Sequence, residues 1–243
     1  MDLDVTTDGD VGVVRLCRPP HNFFDVDLVA GIVTAIEGMV GAQRVVVLHA
    51  EGRNFCAGAD LSRGSAAVVG PTGTHLYEHA LALYRQPLPI VAAVQGKAVG
   101  GGLGLALAAD LRVGTPRTAF VANFAAIGLH HGFGLSVTLP ATVGLAHAMD
   151  MLYTSRPVVG PEALAFGLLD RLVDDDPLAE ALALARSIAA HPADAVAAIR
   201  ATVRRSMVGA LRDAMDHERA EQERLRPTLR PGLPDEYEQP SAW

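Results

Sequence analysis

Two short glycine-bearing bends hold the residues best suited to chemistry. In "FCAGADL", residues 55–61, small side chains surround Gly58 shortly after the β-branched run "RVVVLHA" at 44–50. In "GGGLG", residues 100–104, three consecutive glycines follow the apolar run "PIVAAVQG" at 89–96. Small residues placed where a core strand has just ended expose the main chain, and the start of a helix leaves its first N–H groups unpaired and partly positive. Each bend therefore offers backbone donors to an anionic oxygen. Two strands of one sheet would bring both bends together. Two donors aimed at one carbonyl oxygen form an oxyanion hole, where losing one donor costs ~3–4 kcal/mol of transition-state stabilisation. Taken singly, the first bend reads better as a tight turn capped by Asp60, and the second as close helix–sheet packing. The glycine order does not give GxGxxG, Gly96–Lys97 lacks the remainder of a phosphate loop, and no GxSxG occurs.

The elements that must position these bends alternate in period. β-rich runs at 11–17, 44–50 and 89–96 are separated by an amphipathic stretch at 26–40 and a polar-to-helical segment at 62–86, which predicts crossover units and a partly parallel sheet. The small and leucine residues ending at Asp110 suit a helix buried against that sheet. Further strands are expected at 110–114 and 118–121, and helices around 135–153 and 161–167. From Pro177 the pattern is helical alone, in "PLAEALALARSIAA", "PADAVAAIRATVRRS" and "VGALRDAMDHERAEQERL", two of them opened by a proline that suits a first turn. The expected organisation is an α/β core over 1–176, a helical C-terminal region over 177–226 and an irregular, proline-rich tail over 227–243.

Composition narrows the function classes. The 243 residues are half apolar, enough for a substantial core. A formal charge of −7 argues against a nucleic-acid footprint. Cys17 and Cys56 lack the paired spacing of a zinc site or a secreted disulfide framework, so no metal is expected and a reducing, cytoplasmic setting is. The acidic opening "MDLDVTTDGD" has no export pattern. The most apolar stretch, 88–113, is interrupted by Lys97 and glycines, unlike a span of ~20 continuous apolar residues, so no membrane partner is expected.

The motifs "CRPPHNFFD" (17–25), "FCAGADL", "PIVAAVQGKAVGGGLGLALAADLRV" (89–113), "AIGLHHGFG" (126–134) and "GPEALAFGLLDRLV" (160–173) together resemble the crotonase, or enoyl-CoA hydratase/isomerase, superfamily, in order and spacing over about 17 to 174. The resemblance implies a crotonase-like spiral of ββα turns with a C-terminal helical trimerisation region, and a homotrimer or homohexamer. It implies an acyl-CoA substrate, coenzyme A entering as part of that substrate with no separate cofactor, and chemistry through a thioester enolate. By the same resemblance the Ala59 and Gly101 N–H groups form the oxyanion hole. The backbone of Ala57, Gly58, Ala59, Asp60 and Leu61, with the bend at Asn22 and Phe23, then holds the coenzyme A moiety.

The resemblance also exposes departures. The two positions where hydratases of the family carry glutamates fall on Gly104 and Phe124, and the place of the aspartate used by diene isomerases and dehalogenases falls on Gly132. Neither glycine nor phenylalanine can ionise, so neither can activate water or deliver a proton. Phe124 instead suits the wall of an acyl pocket. The loop "LHHGF" offers His130 and His131, whose ordinary pKa near 6.5 suits proton transfer at neutral pH; hydrogen bonding within the loop is the plainer role. His75 and His79, four apart, are too few for a metal. Cys56, among apolar neighbours, is expected to pack. The reading is an enzyme of the hydratase/isomerase family, lyase or isomerase, without the usual glutamates. The alternative is a catalytically silent acyl-CoA-binding protein.

Overall fold

Strand patterning dictates a sheet buried on both faces. In the computed structural model, which describes residues 2–228 and all their side chains except those of Leu61, Ser62, Ser65 and Thr228, the chain runs as β1 (Leu3–Asp8), β2 (Val11–Leu16), α1 (Val26–Glu37), β3 (Val45–Ala50), a 3-10 stretch at Leu61–Ala67, α2 (Leu76–Tyr84), β4 (Ile90–Val94), β5 (Lys97–Val99), α3 (Gly101–Ala108), β6 (Leu111–Gly114) and β7 (Ala119–Val121). There follow α4 (Leu135–Val143), α5 (Leu145–Thr154), β8 (Pro157–Val159), α6 (Gly160–Phe166), β9 (Arg171–Leu172), α7 (Pro177–Ala189) and α8 (Ala193–Leu225). The larger sheet has the order β1-β2-β3-β4-β6-β9, antiparallel at β1–β2 and parallel elsewhere; a smaller one has the order β5-β7-β8. The ββα winding expected of the chain is thus formed.

Alternation along the strands sorts the core into two layers. Val14 and Leu16 of β2, Val46 and Leu48 of β3, and Ile90, Ala92 and Val94 of β4 face the cluster that holds α1, α2 and α3. Their neighbours Val11, Val13, Val45, Val47, Val91 and Ala93 face Ala181, Ala185 and Ala189 of α7. A strand covered on both sides reads as a continuous apolar run, which is why "VVVL" carries no polar alternation. The four-residue spacing of the α7 alanines lays one narrow face on the sheet. The packing therefore continues across the expected boundary at 176/177, since α7 covers one face of the α/β core.

Other differences from expectation have local causes. The helix expected over 135–153 is two, α4 and α5, parted at Gly144 with φ +80°. The last two expected helices are one, the 33-residue α8, since Met207 between them carries no breaking signal. Strands β1, β5, β8 and β9 were not expected; three of them have only two or three residues, too short to show a period, and β1 is an edge strand with polar residues. Of the expected irregular tail, residues 229–243 lie outside the described residues. Among the described residues no single helix is long and apolar enough to cross a membrane.

Candidate active site

The first bend is gripped on two sides. Cys56 bridges Ala98 of β5 through Cys56 N–H to Lys97 O (3.2 Å) and Val99 N–H to Cys56 O (2.9 Å). Phe24 bridges Ala59 through Phe24 N–H to Gly58 O and Asp60 N–H to Phe24 O, both 2.9 Å. In extended chain successive N–H groups point to opposite sides. With Gly58 O and Asp60 N–H committed to Phe24, the Ala59 N–H faces away from it.

Gly58, at φ +96°, makes this geometry possible. A Cβ there would stand 2.9 Å from Val99 O and 3.7 Å from Gly101 N, so the first bend lies directly against the entry to α3. Gly101 opens that helix after Gly100, where the first N–H has no intrahelical partner. Among the described residues neither the Ala59 nor the Gly101 N–H has a protein acceptor. The two strands expected to bring the bends together, β3 and β4, are parallel neighbours in the larger sheet; β5 of the smaller sheet intervenes before the second bend, and the Cys56–Ala98 bridge joins the bends.

Both bends open on a cavity of about 610 Å³, a volume typical of small-molecule sites. Its wall includes Phe23, Ala57, Gly58, Ala59, Asp60, Gly101 and Phe124, all named from the sequence, and also Tyr77, Phe133 and Gln222, which sequence reading did not single out. Leu61 belongs to the 3-10 stretch, but its side chain lies outside the described ones. Asn22 is not on the wall. It is fully buried with φ +50°, and its Nδ2 donates to Glu51 O and Asn54 O (2.7 Å each) while its Oδ1 accepts from Arg18 N–H at 2.9 Å. Asn22 therefore sets the bend that presents Phe23 and Phe24, and tolerance of the left-handed region explains the residue type.

The positions without carboxylates are filled. A Cβ at Gly104 would come within 2.7 Å of the Phe133 Cβ and 2.9 Å of its ring, and the Phe133 ring packs on Phe24 at 5.5 Å between centroids. A Cβ at Gly132 would overlap the Tyr77 hydroxyl and stand 2.6 Å from Gln222 Nε2. Aromatic groups and a hydroxyl–amide pair thus occupy the volume near the places where relatives' carboxylates are expected.

His130 and His131 are not on the cavity wall, although their neighbours Leu129, Gly132 and Phe133 are. The two rings stack at 4.1 Å; His130 Nδ1 meets His131 O at 2.7 Å, and His131 Nε2 meets Ser136 Oγ at 2.9 Å. Burial first, then His130 and His217, push the His131 pKa down to about 4, so it is neutral at pH 7 with Nε2 engaged. This fits the plainer, loop-bonding role. His75, in contrast, lines the cavity and caps α2, its Nδ1 accepting from Tyr77 N–H at 3.1 Å. Its pKa is pushed down to about 4 by burial and then by Arg219. The cap occupies Nδ1, leaving the neutral ring its N–H at Nε2.

Helix α8 closes one side of the site. Leu211, Met215 and Glu218 are its buried residues, a 4–3 spacing that puts one stripe inward. Glu218 accepts from Gly134 N–H (2.8 Å), Ser136 N–H (2.8 Å) and Ser136 Oγ–H (2.6 Å), satisfying the start of α4, which has no side-chain cap of its own. Burial nonetheless raises the Glu218 pKa, against those hydrogen bonds. One turn further, Gln222 accepts from Tyr77 Oη–H at 2.9 Å and donates to His130 O at 3.0 Å. A glutamate in register with Leu211 and Met215 was the sequence signal for this strut. Cys56 is fully buried and its thiol is pushed up to about 12 by burial, which fits packing rather than chemistry.

Known proteins resemble this chain in sequence and fold. The family model described as enoyl-CoA hydratase/isomerase matches residues 6–229. A probable enoyl-CoA hydratase of Mycobacterium tuberculosis, EchA14, is 36% identical over 229 residues, 92% of this chain and 89% of that protein. The 4-chlorobenzoyl coenzyme A dehalogenase-2 of an Arthrobacter species is 32% identical over 226 residues, 87% of this chain and 80% of that one. Among solved structures, an enoyl-CoA hydratase/isomerase from Pseudoalteromonas atlantica T6c superposes with a TM-score of 0.85 at 29% identity, covering 93% of this chain and 91% of its own. The chain accordingly belongs to the enoyl-CoA hydratase/isomerase, or crotonase, family.

Proposed function

We propose that the protein binds an acyl-CoA thioester with its carbonyl oxygen between the Ala59 and Gly101 N–H groups and stabilises the enolate formed from it. The observation that carries this reading is the pair of amides on adjoining bends, without a protein acceptor among the described residues, in the wall of one largely apolar cavity. In a site screened from water such donors gain strength as negative charge develops on the oxygen. Coenzyme A enters only as part of the substrate, held along Ala57–Asp60 and Phe23, and no further cofactor is needed to polarise a thioester. Hydration by paired glutamates does not fit, because Gly104 and Phe124 supply neither a base for water nor a proton for carbon. A trimer or double trimer is the proposed assembly, supported by exposed Ile199 and Val203 one turn apart on α8 and by exposed Leu145 and Tyr153 on α5.

A second reading, an acyl-CoA-binding protein without turnover, is favoured by the aromatic packing of Phe133 against Gly104. Calorimetry with butanoyl-CoA, followed by mass spectrometry of its α-protons in deuterium oxide, separates the two. Binding with deuterium uptake supports the enzyme. Binding without uptake, and without consumption of crotonyl-CoA, supports the silent protein. No binding of either thioester refutes both.

A further inference from the structure

We propose that Tyr77 and Gln222 form the acyl-recognition site of the cavity and read a neutral hydroxyl group on the acyl moiety, an inference that rests on the acyl-thioester reading above. Three observations carry it. First, the polar atoms of both side chains meet at one point of the cavity wall, the space a Cβ on Gly132 would fill, beside apolar Leu129 and Phe133. A glycine at 132 is what leaves room for them; any side chain there would displace the pair.

Second, the pair is neutral. Burial, and then the Glu218 carboxylate, raise the Tyr77 pKa well above its ordinary value despite hydrogen bonds from the Phe133 main chain and Gln222. A phenol held in this form does not serve as a base, and a carboxamide has no titration. The site therefore recognises a dipole rather than a charge.

Third, the hydrogen bonds already made leave a complementary remainder. The Tyr77 proton goes to Gln222 Oε1 (2.9 Å), and its oxygen, which also takes a hydrogen bond from the Phe133 main chain, keeps one further lone pair as an acceptor. Gln222 Nε2 uses one N–H on His130 O (3.0 Å) and keeps a second, which has no acceptor among the described residues. One acceptor beside one donor matches a hydroxyl, which donates once and accepts through its lone pairs. A hydrocarbon chain would cover both groups and leave them unpaired, and desolvating such groups without a partner is unfavourable.

The test is calorimetry on the full chain with two matched pairs of thioesters, 3-hydroxybutanoyl-CoA against butanoyl-CoA and 4-hydroxybenzoyl-CoA against benzoyl-CoA, which place the hydroxyl at different distances from the carbonyl. The expected result is a preference of about tenfold or more for the hydroxylated member of at least one pair, the size of one well-made buried hydrogen bond. Tyr77→Phe and Gln222→Leu should each reduce that ratio to about twofold or less, the scale expected when the hydrogen bond to the ligand hydroxyl is removed. Two variants on different helices guard against misfolding of either, checked by near-ultraviolet circular dichroism. Equal binding of both members of both pairs by the wild type overturns the proposal alone, as does a preference that survives both substitutions. Failure of every thioester to bind overturns the proposal together with the reading beneath it.

Discussion

Replacing Glu218 with alanine is a severe test of how this site is held. The carboxylate is fully buried and accepts from three donors, the Gly134 and Ser136 N–H groups and the Ser136 hydroxyl, at 2.6 to 2.8 Å. Each donor left without a partner costs about 1–3 kcal/mol. Removing a buried carboxylate also relieves its desolvation, which is the main cause of its raised pKa, and water entering the vacated space recovers part of the rest. The balance is a net loss of about 3 kcal/mol. For a domain of this size each kcal/mol shifts the melting temperature by roughly 2–4 °C, so thermal unfolding followed by circular dichroism at pH 7 should show a fall of about 6–12 °C. Glu218→Gln keeps one acceptor oxygen but points an amide N–H at a donor, and should fall between wild type and alanine. Because Gln222 follows one turn later on α8, the alanine variant should also weaken acyl-CoA binding. A melting temperature within about 2 °C of wild type would refute the strut, since that corresponds to under about 1 kcal/mol.

Three further outcomes follow from the same geometry. Asn22→Leu strands the Arg18 N–H and the carbonyls of Glu51 and Asn54 and forces a leucine into the left-handed region, so urea titration should show a loss of about 2–4 kcal/mol; a loss under about 1 kcal/mol contradicts the role assigned to it. In thiol titration of the native protein, half-buried Cys17 should react within minutes and buried Cys56, its pKa pushed up to about 12, only on unfolding; fast reaction of both contradicts the packing described. His131, held neutral by burial with His130 and His217 nearby, has a folded pKa of about 4 against an ordinary 6.5. The unfolded chain therefore binds the extra proton between those values, and stability falls as pH drops from 6.5 towards 4. His131→Gln should flatten that slope, and an unchanged slope in stability measured across the window speaks against the assignment.

The parts that sequence made legible were those set by the main chain. Two glycine bends, their neighbouring strands and the small-residue helix α3 follow from residue types that admit few conformations, so their local structure was legible. The helix break at Gly144 and the continuity of α8 through Met207 were not legible, because a single glycine between helical patterns and an unbroken polar face give opposite answers only in packing. His130 and His131 stood out because histidine is the side chain that titrates near neutrality, yet neither is on the cavity wall: His131 bonds Ser136 and packs edge-on against Phe124, and His130 packs edge-on against His217. Tyr77, Glu218 and Gln222 drew no attention, being distant in sequence. They meet only because α8 folds back over α2 and the loop at 128–134.

In the proposed function two main-chain amides, those of Ala59 and Gly101, polarise a thioester carbonyl. Infrared difference spectroscopy of butanoyl-CoA labelled with carbon-13 at the carbonyl reports on that bond directly. Bound to the protein, the labelled carbonyl band should move to lower frequency than in water, as expected of an oxygen accepting two aligned hydrogen bonds in a site screened from solvent. A bound thioester whose band stays at its solution frequency or moves higher would contradict the claim.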